Sequence, residues 1–209
     1  MEHDYCASMG GVTLRPLICD DIELLRSWRN DRENSRYLRD IGYVTEESQR
    51  SWFESYLKDD TICTFAIVDE ETVKRVVGSV SIYDFEDGTA EVGKILIGDA
   101  RAHGRGIGRK AMILAMMIGF SEFSVKTFHA FVEPENVAAY RTYISIGFTV
   151  VEEHTSAAGR TECGIANDEE SIRSAGFRRE DVRFFRYRSR VQLVDLTAGT
   201  RSEVSIRWN

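Results

Sequence analysis

The residues best suited to chemistry lie in one mid-chain run, Ile95-Leu96-Ile97-Gly98-Asp99-Ala100-Arg101-Ala102-His103-Gly104-Arg105-Gly106-Ile107-Gly108-Arg109. A strand-like apolar triplet leads into a loop with glycine at every second position, and helical sequence follows at once. Glycine permits positive φ and close approach of the backbone. Exposed N–H groups feeding a helix N-terminus concentrate partial positive charge, so such a loop binds anions, and a diphosphate suits it. Two other phosphate loops are excluded by spacing. No GxxxxGK[ST] occurs, and Gly104, Gly106 and Gly108 are spaced GxGxG, not GxGxxG. The loop also follows an antiparallel meander in mid-chain, where a dinucleotide fingerprint would follow an early strand of a parallel sheet. A glycine-rich strand-to-helix turn without a ligand is the alternative.

A second run carries further signal: Glu133-Pro134-Glu135-Asn136-Val137-Ala138-Ala139-Tyr140-Arg141-Thr142-Tyr143-Ile144-Ser145-Ile146-Gly147-Phe148. The spacing Arg101-x-x-Gly104-x-Gly106 resembles the pyrophosphate motif of the GNAT acetyltransferases. Asn136, Ala139, Tyr143, Gly147 and Phe148 meet the pattern N-x-x-A-x-x-x-Y-x-x-x-G-F, which resembles the motif after that family's fifth strand. The two motifs stand in the right order at a family-like separation, and the resemblance covers roughly Val12 to Val151. One position departs from the pattern. His103 stands where arginine often precedes the first loop glycine, so a fixed charge is lost that Arg105, Arg109 or Lys110 could replace.

The resemblance implies an acetyl-CoA-dependent N-acetyltransferase with a mixed, mostly antiparallel sheet flanked by helices, its fourth and fifth strands splayed. Backbone groups of Ile95, Leu96 and Ile97 would pair with pantetheine amides by strand addition. The amides of His103, Gly104, Arg105, Gly106, Ile107, Gly108 and Arg109 would hold the pyrophosphate, and Asn136 the cofactor arm. Tyr143 would protonate the leaving thiolate, since a phenol of ordinary pKa is protonated at neutral pH; core packing on an amphipathic helix is its alternative. The chemistry needs a neutral amine, hence a base. Glu91, four residues before the thioester-binding segment, is that candidate, and a surface or structural carboxylate is the alternative. The triplet Trp28-Arg29-Asn30 resembles two branches of the family, acting on nucleotide-linked amino sugars and on protein N-termini. In that reading Trp28 stacks on the acceptor and Arg29 meets a phosphate; otherwise Trp28 is core and Arg29 is solvated. A polyamine or aminoglycoside acetyltransferase and a non-catalytic acetyl-CoA sensor are the other function classes.

These residues need elements to hold them. Val12 to Pro16 reads as a strand. A helix follows from a cap at Asp20, with Ile22, Leu24, Leu25 and Trp28 as its apolar face. A second helix starts near Thr45 and carries Trp52, Phe53, Tyr56 and Leu57. Strands are expected at Thr64 to Val68, Val76 to Phe85 and Ala90 to Ile97, joined by short turns and so antiparallel. Then come a helix from Arg109 to about Phe123, a strand at Thr127 to Val132, a helix at Asn136 to Ile146 and a strand at Phe148 to Val151. This is one α/β domain, 12–151. Residues 152–209 form an extension: a loop at Thr155 to Asp168, a helix at Glu169 to Arg183, then strands at Arg186 to Leu196 and Glu203 to Trp208. These strands would complete the sheet or support a homodimer.

Composition bounds the function classes. The chain has 209 residues, enough for one sizeable core, and 43% hydrophobic with 29% charged residues is ordinary for a globular protein. A net charge of -7 gives no general attraction for nucleic acid or an anionic membrane, so neither is an expected partner. Cys6, Cys19, Cys63 and Cys163 show no paired spacing, so neither a metal site nor a disulfide framework is expected. Met1 to Gly11 lacks an apolar core, which argues against a signal peptide and makes the cytoplasm the expected compartment. Small-molecule or peptide amines are the expected acceptors.

Overall fold

The computed structural model describes residues 1–155 and 161–187. In chain order its strands are β1 (Tyr5–Met9), β2 (Val12–Pro16), β3 (Ile62–Asp69), β4 (Arg75–Glu86), β5 (Thr89–Ile97), β6 (Thr127–Val132), β7 (Thr149–Thr155), β8 (Thr161–Asp168) and β9 (Arg183–Arg186). Its helices are α1 (Ile22–Asn30), α2 (Arg32–Ser35), α3 (Glu46–Lys58), α4 (Ile107–Glu122), α5 (Val137–Ser145) and α6 (Glu169–Ser174). The strands make one sheet in the order β7-β8-β6-β5-β4-β3-β2-β1-β9. Every pairing is antiparallel except β5 with β6.

Helices cover both faces of the sheet because its central strands are apolar on both sides. On one face α4, buried continuously from Ala111 to Gly119, packs on Phe65, Ile67, Ile82, Val92 and Phe128. A Cβ on Gly119 would lie 2.3 Å from Phe128, so glycine is what lets helix and sheet meet there. On the other face Leu25 and Trp28 of α1 and Phe53 and Tyr56 of α3 close on Ala66, Val76 and Leu96. Each large side chain so buried contributes about 1.5–3 kcal/mol.

Two features of β5 set up the site. Its parallel pairing with β6 stops after three residues, Thr89↔Thr127, Ala90↔Phe128 and Glu91↔His129. Beyond Glu91 the strands part, and β6 continues against β8. On its other side, β5 is in register with β4 at Ser79↔Leu96 and again at Ser81↔Gly93, so Lys94 and Ile95 together oppose Val80. This is a β-bulge, with Lys94 at φ 47°. The splayed pair expected as fourth and fifth strands is fifth and sixth, because β1 precedes them.

That first strand departs from the sequence reading, which left Met1 to Gly11 without structure. The signal was the Gly10-Gly11 pair: both have positive φ, 51° and 75°, and turn β1 into β2. The expected helix cap at Asp20 is also replaced. One 3₁₀ turn over Cys19–Asp21 precedes α1, and buried Asp21 binds the Arg15 guanidinium through both oxygens, at 2.6 and 2.8 Å. Thr45 does cap α3, accepting from the Ser48 N–H at 3.1 Å.

The extension differs most. The loop expected over Thr155 to Asp168 contains β8, which alternates buried Cys163, Ile165 and Asn167 with Glu162 and Ala166 and is paired on both sides. Pairing holds it where composition gave little strand signal. The helix expected to Arg183 stops at Ser174. Gly176, at φ 91°, ends it with the Gly176 N–H on the Arg173 carbonyl and the Phe177 N–H on the Ile172 carbonyl. Chain beyond that reaches β9, which pairs with β1. The strands expected at Arg186 to Leu196 and Glu203 to Trp208 lie, apart from residues 186 and 187, outside the described residues.

Candidate active site

The glycine loop leaves β5, passes through a single 3₁₀ turn at Ala100–Ala102 and enters α4. Buried Asp99 shapes the turn by accepting from the Arg101 N–H and Nε, both at 3.0 Å, and from Arg101 Nη2 and Arg75 Nη2, both at 2.8 Å. The Arg101 bonds and the Arg75 guanidinium hold its carboxyl well below the usual range. Gly104 and Gly106 take φ of 70° and 71°, and a Cβ on either would meet no atom within 4 Å. Gly106 caps α4, so the first-turn amides of Ile107, Gly108 and Arg109 have no intrahelical acceptor. The result is an open cradle of N–H groups at the positive end of a 16-residue helix, which fits a diphosphate.

The loop's cationic side chains fix it in place. Arg105 bridges to Asp69 at 3.2 Å and to the Thr72 hydroxyl, tying the cradle to the β3–β4 turn. Arg109 donates to the Ser145 carbonyl at 2.9 Å and lies over the Phe177 ring, bracing α4 against the end of α5. Lys110 donates to the Gly10 carbonyl in the β1–β2 turn. His103 places its Nε2 2.7 Å from the Ile97 carbonyl. An anion in this cradle would therefore be held by backbone amides and the helix dipole.

Where β5 and β6 part, the stretch Val92 to Ile97, including Ile95, Leu96 and Ile97, pairs with no strand on the β6 side among the described residues. Tyr143 comes to this opening from α5, seated edge-on against Phe148 at 5.0 Å between ring centroids. Its hydroxyl donates to the Val92 carbonyl at 3.3 Å. Burial, and then the Glu91 charge, push its phenol above the ordinary value, so Tyr143 holds its proton more firmly than the sequence reading assumed. Asn136 caps α5: its Oδ1 accepts from the Ala139 N–H at 3.2 Å.

Glu91 lies at the point of divergence, half-buried. Its Oε1 accepts from the Tyr83 hydroxyl across the β4–β5 ladder. Burial pushes its carboxyl up, and the Tyr83 bond opposes that rise. Glu91 and Tyr143 are thus brought to the same opening from different elements.

On the α1–α3 face a cleft of about 550 Å³ runs up to β5. Leu25, Trp52 and Leu96 give it apolar walls, and Ser79, Ser81 and Gln49 line it with neutral polar groups. Its charged lining is Arg29, Arg39 and Lys94, and no carboxylate lines it among the described residues. Arg29 donates to the Arg39 carbonyl, and burial lowers its pKa. Asn30 clamps the segment that roofs the cleft, donating to the Val44 carbonyl and accepting from the Val44 N–H, each at 2.8 Å. Trp28 packs in the core with its indole over Gly98, where a Cβ would lie 2.1 Å from the ring. Of the expected triplet, then, Arg29 lines the cleft, Asn30 shapes it and Trp28 supports the turn out of β5.

Sequence reasoning did not find Tyr83, Lys94 or Arg39. The first two meet only through the β4–β5 register and its bulges. Arg39 ends a run of arginines, Arg26, Arg29, Arg32, Arg36 and Arg39, interspersed with acids, a pattern that reads from sequence as a solvated face.

Comparisons with known proteins agree with this geometry. Residues 12–149 match the family described as acetyltransferase (GNAT) domain. An N-acetyltransferase 9-like protein of Nematostella vectensis is 28% identical over 112 residues, covering 48% of this chain and 56% of that protein. The chain thus aligns with little more than half the length of that relative. An alpha/beta-tubulin-N-acetyltransferase 9 of Drosophila melanogaster is 29% identical over 150 residues, covering 66% of this chain and 74% of that one. The fold is shared with the spermidine N-acetyltransferase of Vibrio cholerae, solved with CoA and spermine: TM-score 0.69, 18% identity, 78% of this chain and 98% of that one.

Proposed function

The chain belongs to the GNAT acetyltransferase family, and from that premise we propose that it is an N-acetyltransferase that transfers the acetyl group of acetyl-CoA to a primary amine bearing an anionic group close by. The observation that carries the acceptor reading is the cleft's charge: three cations, Arg29, Arg39 and Lys94, and no lining carboxylate among the described residues.

Acetyl-CoA supplies a thioester, whose carbonyl is the electrophile and whose thiol is the leaving group. Amides of His103 to Arg109 hold its diphosphate, the open edge of Ile95 to Ile97 pairs with its amide arm, and Asn136 donates to that arm. Glu91 takes a proton from the acceptor ammonium, so that the attacking nitrogen is neutral. Burial raises the basicity of its carboxylate, and the Tyr83 bond opposes that rise. Tyr143 keeps a proton at Oη and delivers it to the sulfur as the C–N bond forms and the C–S bond breaks. Its raised pKa keeps it loaded across the working range. The second proton shed by the new amide nitrogen restores the phenol, and the proton on Glu91 passes to solvent.

A polycation such as spermidine or an aminoglycoside would bring its charges against Arg29, Arg39 and Lys94, with no carboxylate among the described lining residues to offset them. The apolar walls favour the N-terminal amine of a peptide with an acidic residue near its start, and the name of the Drosophila relative points to a protein acceptor. A nucleotide-linked amino sugar presents the same anion. Thiol release should be measured with acetyl-CoA and a matched pair of peptides, acidic and basic at the second position, alongside a nucleotide-linked amino sugar and spermidine. The acidic peptide should exceed the basic one and spermidine by at least about tenfold in kcat/KM. A preference for spermidine would overturn the acceptor reading.

A further inference from the structure

Next to Lys94, an irregularity in the β4–β5 ladder between Tyr83 and Glu86 sets up a contact that regular pairing would not make. Tyr83 of β4 lies directly opposite Glu91 of β5 and donates its hydroxyl to Oε1 of that carboxylate. Gly93 makes room for it, since a Cβ there would stand 2.9 Å from the Tyr83 hydroxyl and 3.7 Å from Glu91 Oε1. Lys94, turned out of the ladder at φ 47°, holds its ammonium 3.8 Å from the Tyr83 ring centroid while it lines the cleft. A bulge residue in a left-handed conformation and a glycine without room for a side chain thus flank a half-buried phenol that is bonded to one carboxylate oxygen.

We infer that Tyr83 is the positioning residue for the base: its phenol holds Oε1 of Glu91, so that Oε2 faces the proton of the incoming ammonium. This rests on the proposed acetyl transfer to an amine. In the step assisted, the N–H bond of the acceptor breaks, its electron pair stays on nitrogen, and an O–H bond forms at Glu91 Oε2. The Tyr83 O–H bond stays intact throughout. Lys94 caps the phenol ring on the cleft side and keeps it turned toward β5.

The Glu91 carboxylate is surrounded by groups of both signs. From β4 come Tyr83 and Asp84, from β5 Lys94, from β8 Glu162 and from α5 Tyr143. His129 stands opposite it on β6. Burial, Asp84 and Glu162 raise its pKa, while Tyr83 and Lys94 lower it. Removing the Tyr83 hydroxyl therefore has a definite sign. The charged carboxylate loses its donor, and the pH at which Glu91 ionises rises.

The test is the pH profile of kcat/KM for wild type, Tyr83→Phe, Glu91→Gln and Gly93→Ala. Tyr83→Phe should move the acid limb upward by about one pH unit. Gly93→Ala, which touches neither group chemically but displaces the phenol, should move it the same way. In a Glu91→Gln background Tyr83→Phe should change the rate less than about twofold. A Tyr83→Phe enzyme slowed equally at all pH values, with its acid limb unmoved, would overturn the inference, as would a Glu91→Gln enzyme with a wild-type rate. A ¹³C NMR titration of the Glu91 carboxyl in wild type and Tyr83→Phe needs no acceptor. If wild type turned over no amine, the proposed function would fail, and the titration would still decide whether Tyr83 holds Glu91: an unshifted Glu91 refutes it, a raised one supports it.

Discussion

Replacing Gly106 by alanine should separate the stability of the glycine loop from its ligand binding. Gly106 has φ 71° and ψ 9°, a left-handed conformation that costs an L-residue roughly 1–2 kcal/mol. No atom lies within 4 Å of the added methyl, so no steric cost adds to this. For a chain of this size that loss lowers Tm by about 2–8 °C. The methyl, however, stands in the cradle where the amides meet the diphosphate, so acetyl-CoA affinity should fall at least about tenfold, or about 1.4 kcal/mol. Gly108→Ala is the control. Gly108 is in the first helical turn, and its methyl would lie 3.7 Å from Ile95 Cδ1 and from Ile97 Cγ1, an ordinary contact. It should leave affinity within about threefold and gain up to about 1 kcal/mol of helix propensity. Calorimetric titration with acetyl-CoA and thermal unfolding read both variants. A Gly106→Ala protein that melts lower yet binds acetyl-CoA as wild type does would refute the cradle.

Two further outcomes follow from the same geometry. Asn30→Ala removes both bonds to the Val44 backbone and should cost about 2 kcal/mol; with the roof of the cleft loosened, the acceptor KM should rise while acetyl-CoA affinity, read by calorimetry, stays put. Asp99→Asn weakens the bonds to Arg75 and Arg101 by about 1 kcal/mol; because the folded-state pKa of Asp99 is depressed, its charged-state stability is present above the unfolded carboxylate pKa and lost as pH falls through the folded one, so the Tm gap between wild type and variant should close in acid.

Much of the site was legible in the sequence because its parts are local. The loop from Arg101 to Gly108 and the helix from Asn136 to Phe148 each carry their signal within a few residues, and the structure brings both to the opening between β5 and β6. What depends on register was not legible. Counting back from Glu86↔Thr89 would pair Tyr83 with Val92, and only the intervening irregularity places it opposite Glu91. The bulge that turns Lys94 toward Tyr83 leaves no mark beyond the Gly93-Lys94 dipeptide. β8 was missed because Cys163, Gly164 and Ala166 are weak strand formers, and its place is set by β6 and β7 on either side. Trp28 shows the opposite limit: the Trp28-Arg29-Asn30 triplet left a ligand contact and a place in the core both open, and only Gly98, seventy residues on, gives the indole its seat in the core.

The central claim is that Tyr143, at the parting of β5 and β6, protonates the thiol that leaves. The most direct measurement is the rate of free-thiol release from acetyl-CoA by wild type and Tyr143→Phe with the acidic-start peptide, with Tm recorded for both. Tyr143→Phe loses one hydroxyl bond, at 3.3 Å, so its stability should fall by no more than about 1.5 kcal/mol, whereas kcat should fall by about 10²–10⁴ with little change in acetyl-CoA affinity. A folded Tyr143→Phe protein that releases thiol within about threefold of the wild-type rate would contradict it.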